Sequence, residues 1–259
     1  LLAIGFIYLV GFTVYHYIRI KFIAPFLDYI VWNTGISKEQ RLILEENFLY
    51  YKALTTQDKR EFEKRLKYFI HNKEFIAKDL PEVTEEMKVM VGASAVQLTF
   101  GYAPIKFPNF SKIVLFPGKF YSKGSHKLRK GEVNNNGLIV LSWIDFIRDY
   151  KIYNDGINLG LHEMAHALKV EDSKNHEYAL LDEAKLAQFY EASREEYYKL
   201  RKGKKSFIRS YAGKNQEEFF AVAIEQFFEQ PKQFKENLPQ IYHSLSQLLN
   251  QDPAKSGRL

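Results

Sequence analysis

Two histidines four residues apart, His162 and His166, stand in the otherwise apolar stretch Gly156-Ile157-Asn158-Leu159-Gly160-Leu161-His162-Glu163-Met164-Ala165-His166-Ala167-Leu168. In an α-helix such residues lie one above the other on a single face, so two imidazoles can reach one metal ion. Glu163 lies about 100° round the helix from His162, too far to join that pair but able to reach a water on the ion. Leu159, Leu161, Met164, Ala165 and Leu168 embed the helix in a core, so the fold must bring a buried helix to an internal cleft. The segment thus supplies two ligands and a general base. A catalytic zinc site needs a third protein ligand and keeps one position open for water. Glu217, Glu218, Glu225 and Glu229 downstream all qualify, and spacing does not choose among them.

The chain contains no cysteine, which excludes a disulfide framework and every thiolate metal site. That absence fits a reducing cytoplasm. With 259 residues, 46% of them hydrophobic, the chain can bury a sizeable core. Its net charge of +6 is a mild excess of scattered Lys and Arg. Such a surface is solvated and is not the footprint of a nucleic-acid binder.

Residues 1–18 carry no Asp, Glu, Lys or Arg and are followed at once by Arg19 and Lys21. The run, with Tyr15 and Tyr17 at one end, predicts a transmembrane anchor over residues 1–24. No small-residue cleavage site follows, which argues against a secretory leader. The positive-inside rule then puts the rest of the chain, residues 30–259, on the cytoplasmic side of the inner membrane as a single-pass protein.

Beyond the anchor, Ser37 with Gln40 forms a capping-box signature, and Thr56–Asn72 continues at helical spacing. A further helix is expected from Pro81, with an apolar end (Val91–Phe100) suited to burial. The period then changes. Lys112–Phe116 and Leu138–Trp143 are short β-branched runs between turn signals, predicting two strands joined by a polar loop or hairpin. Helical patterning resumes from Asn158 to about Val170, again over Tyr178–Leu200, and over Gln216–Glu229. The expected class is α+β, mostly helical with a small sheet. Gly137–Ser142 is expected at a sheet edge beside the cleft, where an extended peptide could add as a strand. His126 and His176 sit in polar sequence, His16 in the anchor, and His71 and His243 have no partner at ligand spacing.

The stretch Gly156–Leu168, together with Tyr211-Ala212, Glu217–Val222 and Phe227-Phe228, resembles the Mlc titration factor A family of bacterial zinc peptidases. That family is similar around its active site to the anthrax lethal factor catalytic domain. Ile113–Gly118 and Gly137–Trp143 extend the resemblance, which covers about Arg41 to Pro231 and leaves out the N-terminal run. It implies a zincin-like fold and one Zn2+ held by two His and a Glu, the Glu lying seven residues beyond a tyrosine. Tyr211 and Glu218 have that separation, so the implied ligands are His162, His166 and Glu218, with Glu163 and Tyr211 catalytic. Glu217 and Glu225 are then solvated or supporting carboxylates. Lys169 stands where the family usually carries Asp, which leaves the hydrogen-bond partner of the histidines open.

The expected function is hydrolysis of peptide bonds in a peptide or protein substrate through a metal-activated water. The alternative is a regulatory module that sequesters a transcriptional regulator or another protein partner, since the family includes a protein that binds a repressor. A purely structural zinc site would leave Glu163 without a task.

Overall fold

The computed structural model describes residues 2–134, 136–174 and 180–255. Helix α1 (Leu2–Ile18) runs into a π-helical turn (Arg19–Ile23) and then α2 (Ala24–Asn33), which packs on α5. Helix α3 (Lys38–Asn47) starts at the expected capping box: the Ser37 hydroxyl accepts from the Gln40 N–H, and the Gln40 side chain accepts from the Ser37 N–H. A short α4 (Leu49–Lys52) leads to α5 (Thr56–His71), capped by Thr55. Strand β1 (Glu74–Ala77) precedes α6 (Glu85–Thr99). The latter starts not at Pro81 but after Thr84, whose hydroxyl accepts from the Met87 N–H and satisfies a donor the first turn would leave open. From Val89 to Thr99 this helix is buried on all sides, as its apolar run requires.

Next come β2 (Lys112–Phe116), β3 (Phe120–Ser122), β4 (Lys127–Arg129), β5 (Gly131–Asn134) and β6 (Leu138–Ser142). The main sheet has the order β1-β2-β6-β5, with β5 antiparallel and the other neighbours parallel; β3 and β4 form a separate hairpin. Ile113, Leu115, Ile139 and Leu141 alternate onto one face and are fully buried there. The remaining helices are α7 (Trp143–Lys151), α8 (Leu159–Lys174), α9 (Glu183–Arg201), α10 (Gln216–Glu229), α11 (Pro231–Asn237) and α12 (Pro239–Leu249). Helix α8 packs between α6 and α10, and α9 packs against α12. The fold is mostly helical α+β with small sheets.

Two expectations are corrected here. No helix among the described residues is long and apolar enough to cross a membrane, so the transmembrane helix expected over residues 1–24 is not borne out. Helix α1 ends at Ile18, and the turn that follows brings in Arg19 and Lys21. The expected single-pass placement in the inner membrane, with the catalytic domain toward the cytoplasm, falls with it. The segment Gly137–Ser142 is not a sheet edge either. β6 is paired on both sides, by β2 and β5, because the polar connection before it folds back as an antiparallel strand and takes the edge position. Expectations that fall on His176 and Tyr178 lie outside the described residues.

An aromatic cluster ties the N-terminal helices to the core. Phe62 is fully buried, with ring centroids 6.1 Å from Phe48, 6.1 Å from Tyr50, 5.5 Å from Tyr51 and 5.9 Å from Phe100. Phe62→Ala is expected to cost about 3–5 kcal/mol in denaturant unfolding, the transfer and cavity terms together. A loss below about 1 kcal/mol would contradict this packing.

Candidate metal centre

Helix α8 begins at Asn158, whose side-chain carbonyl accepts from the Leu161 N–H, 3.0 Å, and whose backbone carbonyl accepts from the His162 N–H, 2.9 Å. Gly160 lets α8 approach α7 closely, since a β-carbon there would lie 2.7 Å from the Phe146 ring. This close seat fixes the height at which His162 and His166 leave the helix. Helix α10 is capped by Asn215, which accepts from the Glu218 N–H at 2.7 Å and so orients the residue that faces α8. Just before it, a 3-10 turn (Ser210–Gly213) carries Tyr211.

The two helices bring His162, His166 and Glu218 together as a group able to hold a metal ion. His162 Nε2 lies 3.1 Å from Glu218 Oε2 and 3.2 Å from His166 Nε2; His166 Nε2 lies 3.3 Å from the same carboxylate oxygen. All three sit in a cleft of about 960 Å³ bordered by β5, α8, the 3-10 turn and the start of α10. Glu163 also lines the cleft and is 5% exposed. Its side chain lies flat against Gly131 of β5, where any β-carbon would collide with the carboxylate. With glycine at this position the strand approaches the Glu163 side chain closely, and a larger residue would have to displace it.

The partner left open by Lys169 is, for His162, Glu225, about two helical turns beyond Glu218 and 1% exposed. Its Oε1 meets His162 Nδ1 at 2.7 Å, which fixes the ring and leaves Nε2 turned to the cleft. Arg209 forms an ion pair with the same carboxylate. Lys169 points elsewhere: its ammonium stacks 5.9 Å above Tyr190 and reaches Asp172 at 4.0 Å. The Tyr211 hydroxyl donates to Glu218 Oε1 at 3.0 Å, and Lys214 pairs with that oxygen too. Arg209, Lys214, Asn158 and Gly131 carry no motif spacing, so sequence reasoning passed over them. Glu217 lines the cleft away from the three ligand atoms, and Glu229 faces a different cavity. His16, His71, His126 and His243 lie on other elements and line no part of the cleft.

Charge balance follows from this crowding. Burial opposes protonation of His162, but hydrogen bonds to Glu218 and Glu225 prevail and push its pKa up to about 10. Burial likewise works against the Glu218 charge, yet His162, His166 and Lys214 hold it well below the usual carboxylate range. Glu163 moves the other way. Burial raises it, the two histidines pull it down, and the carboxylates of Glu218 and Glu225 add to the rise. Tyr211 is raised by burial and by the neighbouring Glu218 charge.

The chain is 32% identical to Mlc titration factor A of Edwardsiella ictaluri over 135 residues, which cover 49% of this chain and 50% of that protein. It is 25% identical to an uncharacterized protein of Synechocystis over 220 residues, 78% of this chain and 80% of the relative. A scan of protein families matches residues 28–249, a span that contains every element of the cleft, to the glucose-regulated metallo-peptidase M90 family. The chain therefore belongs to the glucose-regulated metallo-peptidase M90 family.

Proposed function

We propose that residues 30–259 form a zinc-dependent peptidase domain that holds one ion on His162, His166 and Glu218 and uses Glu163 as general base. The observation that carries this reading is the set of three ligand atoms 3.1–3.3 Å apart at the floor of the cleft. Ligands bonded to zinc at about 2.0–2.1 Å and at tetrahedral angles are themselves about 3.3 Å apart. The donor set of two imidazoles and a carboxylate, with cysteine absent, also suits zinc. When bound, zinc supplies the Lewis acidity that makes a water nucleophilic near neutral pH.

The chain's own residues would do the rest. Glu163, buried and shifted toward the pKa range of a proton carrier, takes the proton of the attacking water and delivers it to the departing amine nitrogen. The Tyr211 hydroxyl, half-exposed at the cleft wall, donates to the carbonyl oxygen as negative charge develops there. An extended substrate fits along β5, which lines the cleft and pairs, among the described residues, only with β6.

A second reading, a module that binds a protein regulator, is supported by the likeness to Mlc titration factor A. The two readings differ in what they ask of Glu163, because capture of a partner needs no general base.

Three outcomes are expected. Glu163→Gln keeps one zinc per chain and lowers peptide hydrolysis by at least about 10²-fold, read with a peptide library; hydrolysis at the parent's rate would sink the assignment of the base. Glu225→Ala weakens zinc affinity about 10–100-fold in chelator competition, since His162 loses the partner of its Nδ1; unchanged affinity would remove Glu225 from the centre. Zinc affinity also rises with pH. His162 must give up its proton to bind a metal, and that proton is held up to about pH 10. The apparent affinity therefore climbs by up to about tenfold per pH unit between about pH 6 and 9. A flat profile over that interval would contradict the ligand assignment.

A further inference from the structure

A second cavity, of about 590 Å³, lies beside the C-terminal end of α10 and shares no lining residue with the cleft. Its walls include Phe48, Tyr50, Ala53, Tyr153 and Phe228, with one acid, Glu229. This is the make-up of a small-molecule site: a volume of a few hundred cubic ångströms, mostly apolar, with one carboxylate in its wall and two exposed lysines, Lys52 and Lys232, at its rim. Glu229 accepts from the Asn154 N–H at 2.8 Å and from the Asn158 side-chain amide at 2.9 Å, one bond on each oxygen. Further lone pairs remain on both oxygens. Among the described residues no ion pair reaches this carboxylate. Burial raises its pKa to about 7, the cost of keeping a charge there without a cation. The lysines at the rim do not supply one: Lys52 and Lys232 are exposed, and the Lys52 ammonium donates to the Glu46 carbonyl.

Glu229 is also wired to the metal centre. Asn158 donates its side-chain amide to Glu229 and its backbone N–H to Glu225 Oε2 at 2.7 Å, while Glu225 Oε1 meets His162 Nδ1 at 2.7 Å. One buried asparagine, which also caps α8, therefore joins the carboxylate of the cavity to the carboxylate that orients His162. A cation drawn to Glu229 competes for the electron density that now holds Asn158, and any shift of Asn158 is passed to Glu225.

We propose that this cavity is a second ligand site for a small amphipathic primary amine, its ammonium paired with Glu229 and its apolar body lying between Phe48, Tyr50 and Phe228, and that occupancy changes the metal affinity of the centre through Asn158 and Glu225. The coupling rests on His162 being a metal ligand; the binding does not. Charge complementarity selects the amine. An anionic ligand would face an uncompensated carboxylate, and a neutral one would leave the Glu229 charge as costly as before.

The test is calorimetric titration of the full chain with 2-phenylethylamine, 2-phenylethanol and phenylacetate. The amine is expected to saturate with a Kd of about 1 mM or below, and the other two to bind at least about tenfold more weakly. Glu229→Gln weakens the amine at least about tenfold. Ala53→Trp, which plugs the cavity and leaves every charge in place, abolishes its binding, and circular dichroism establishes that each variant is folded. Saturating amine then shifts Zn2+ affinity, read by chelator competition, by about fivefold or more in the parent and not in Ala53→Trp. The ligand site is overturned if the amine does not saturate, if phenylacetate binds as well, or if both folded variants keep the parent's affinity. Zinc affinity unmoved by bound amine overturns the coupling. A chain that takes up no zinc overturns the coupling together with the metal reading, and the titration alone then decides the ligand site.

Discussion

The contact between α8 and α10 is the constraint on which the rest of the molecule depends. Both helices are buried over most of their length, and each carries ionisable side chains into the apolar interior: His162 and Glu163 from one, Glu218 and Glu225 from the other. An isolated charge in such surroundings is expensive, and it persists only when paired and hydrogen-bonded. The groups that meet satisfy one another. His162 lies between Glu218 and Glu225, Arg209 balances Glu225, and Lys214 balances Glu218. Removing His162 takes a partner from both Glu218 and Glu225, which are buried, so the polar cluster is coupled to the packing of the two helices.

This arrangement explains the caps. Asn158 and Asn215 each close the start of a helix and, in doing so, fix the rotation of the residues that face the cleft. The glycines act similarly by permitting close approach: Gly160 seats α8 on α7, and Gly131 brings the edge strand against Glu163. A site built from short-range steric and capping contacts on rigid elements holds its geometry without relying on loops. The phenylalanines of α10, all buried, supply the apolar surface that seats this helix in the core.

Much of the architecture was legible in the sequence because it rests on local rules. The capping box at Ser37, the helix at Thr56, the strands at Lys112 and Leu138 and the helix Gln216–Glu229 follow from side-chain periodicity and end signals. Strands β1, β3, β4 and β5 were not, since runs of three or four residues carry too little pattern to separate from a loop. The N-terminal run was misread for a related reason. Its composition resembles a membrane span, but no helix among the described residues is both long and apolar enough to cross a bilayer.

The sequence by itself determined the helical placement of His162, Glu163 and His166, because four-residue spacing in a helix is a local geometric fact. It also determined the absence of thiolate ligands, and by resemblance it singled out Glu218 and Tyr211. Only the tertiary structure decided that β5 and not β6 forms the sheet edge, that Glu225 orients His162, and that Arg209, Lys214 and Asn158 complete the surroundings. Those contacts join residues far apart in the chain, and Asn158 and Glu225 lie 67 positions from each other. Which distant carboxylate meets which imidazole depends on how two helices are rotated and seated against a shared core, and no periodicity along a single strand of sequence records that.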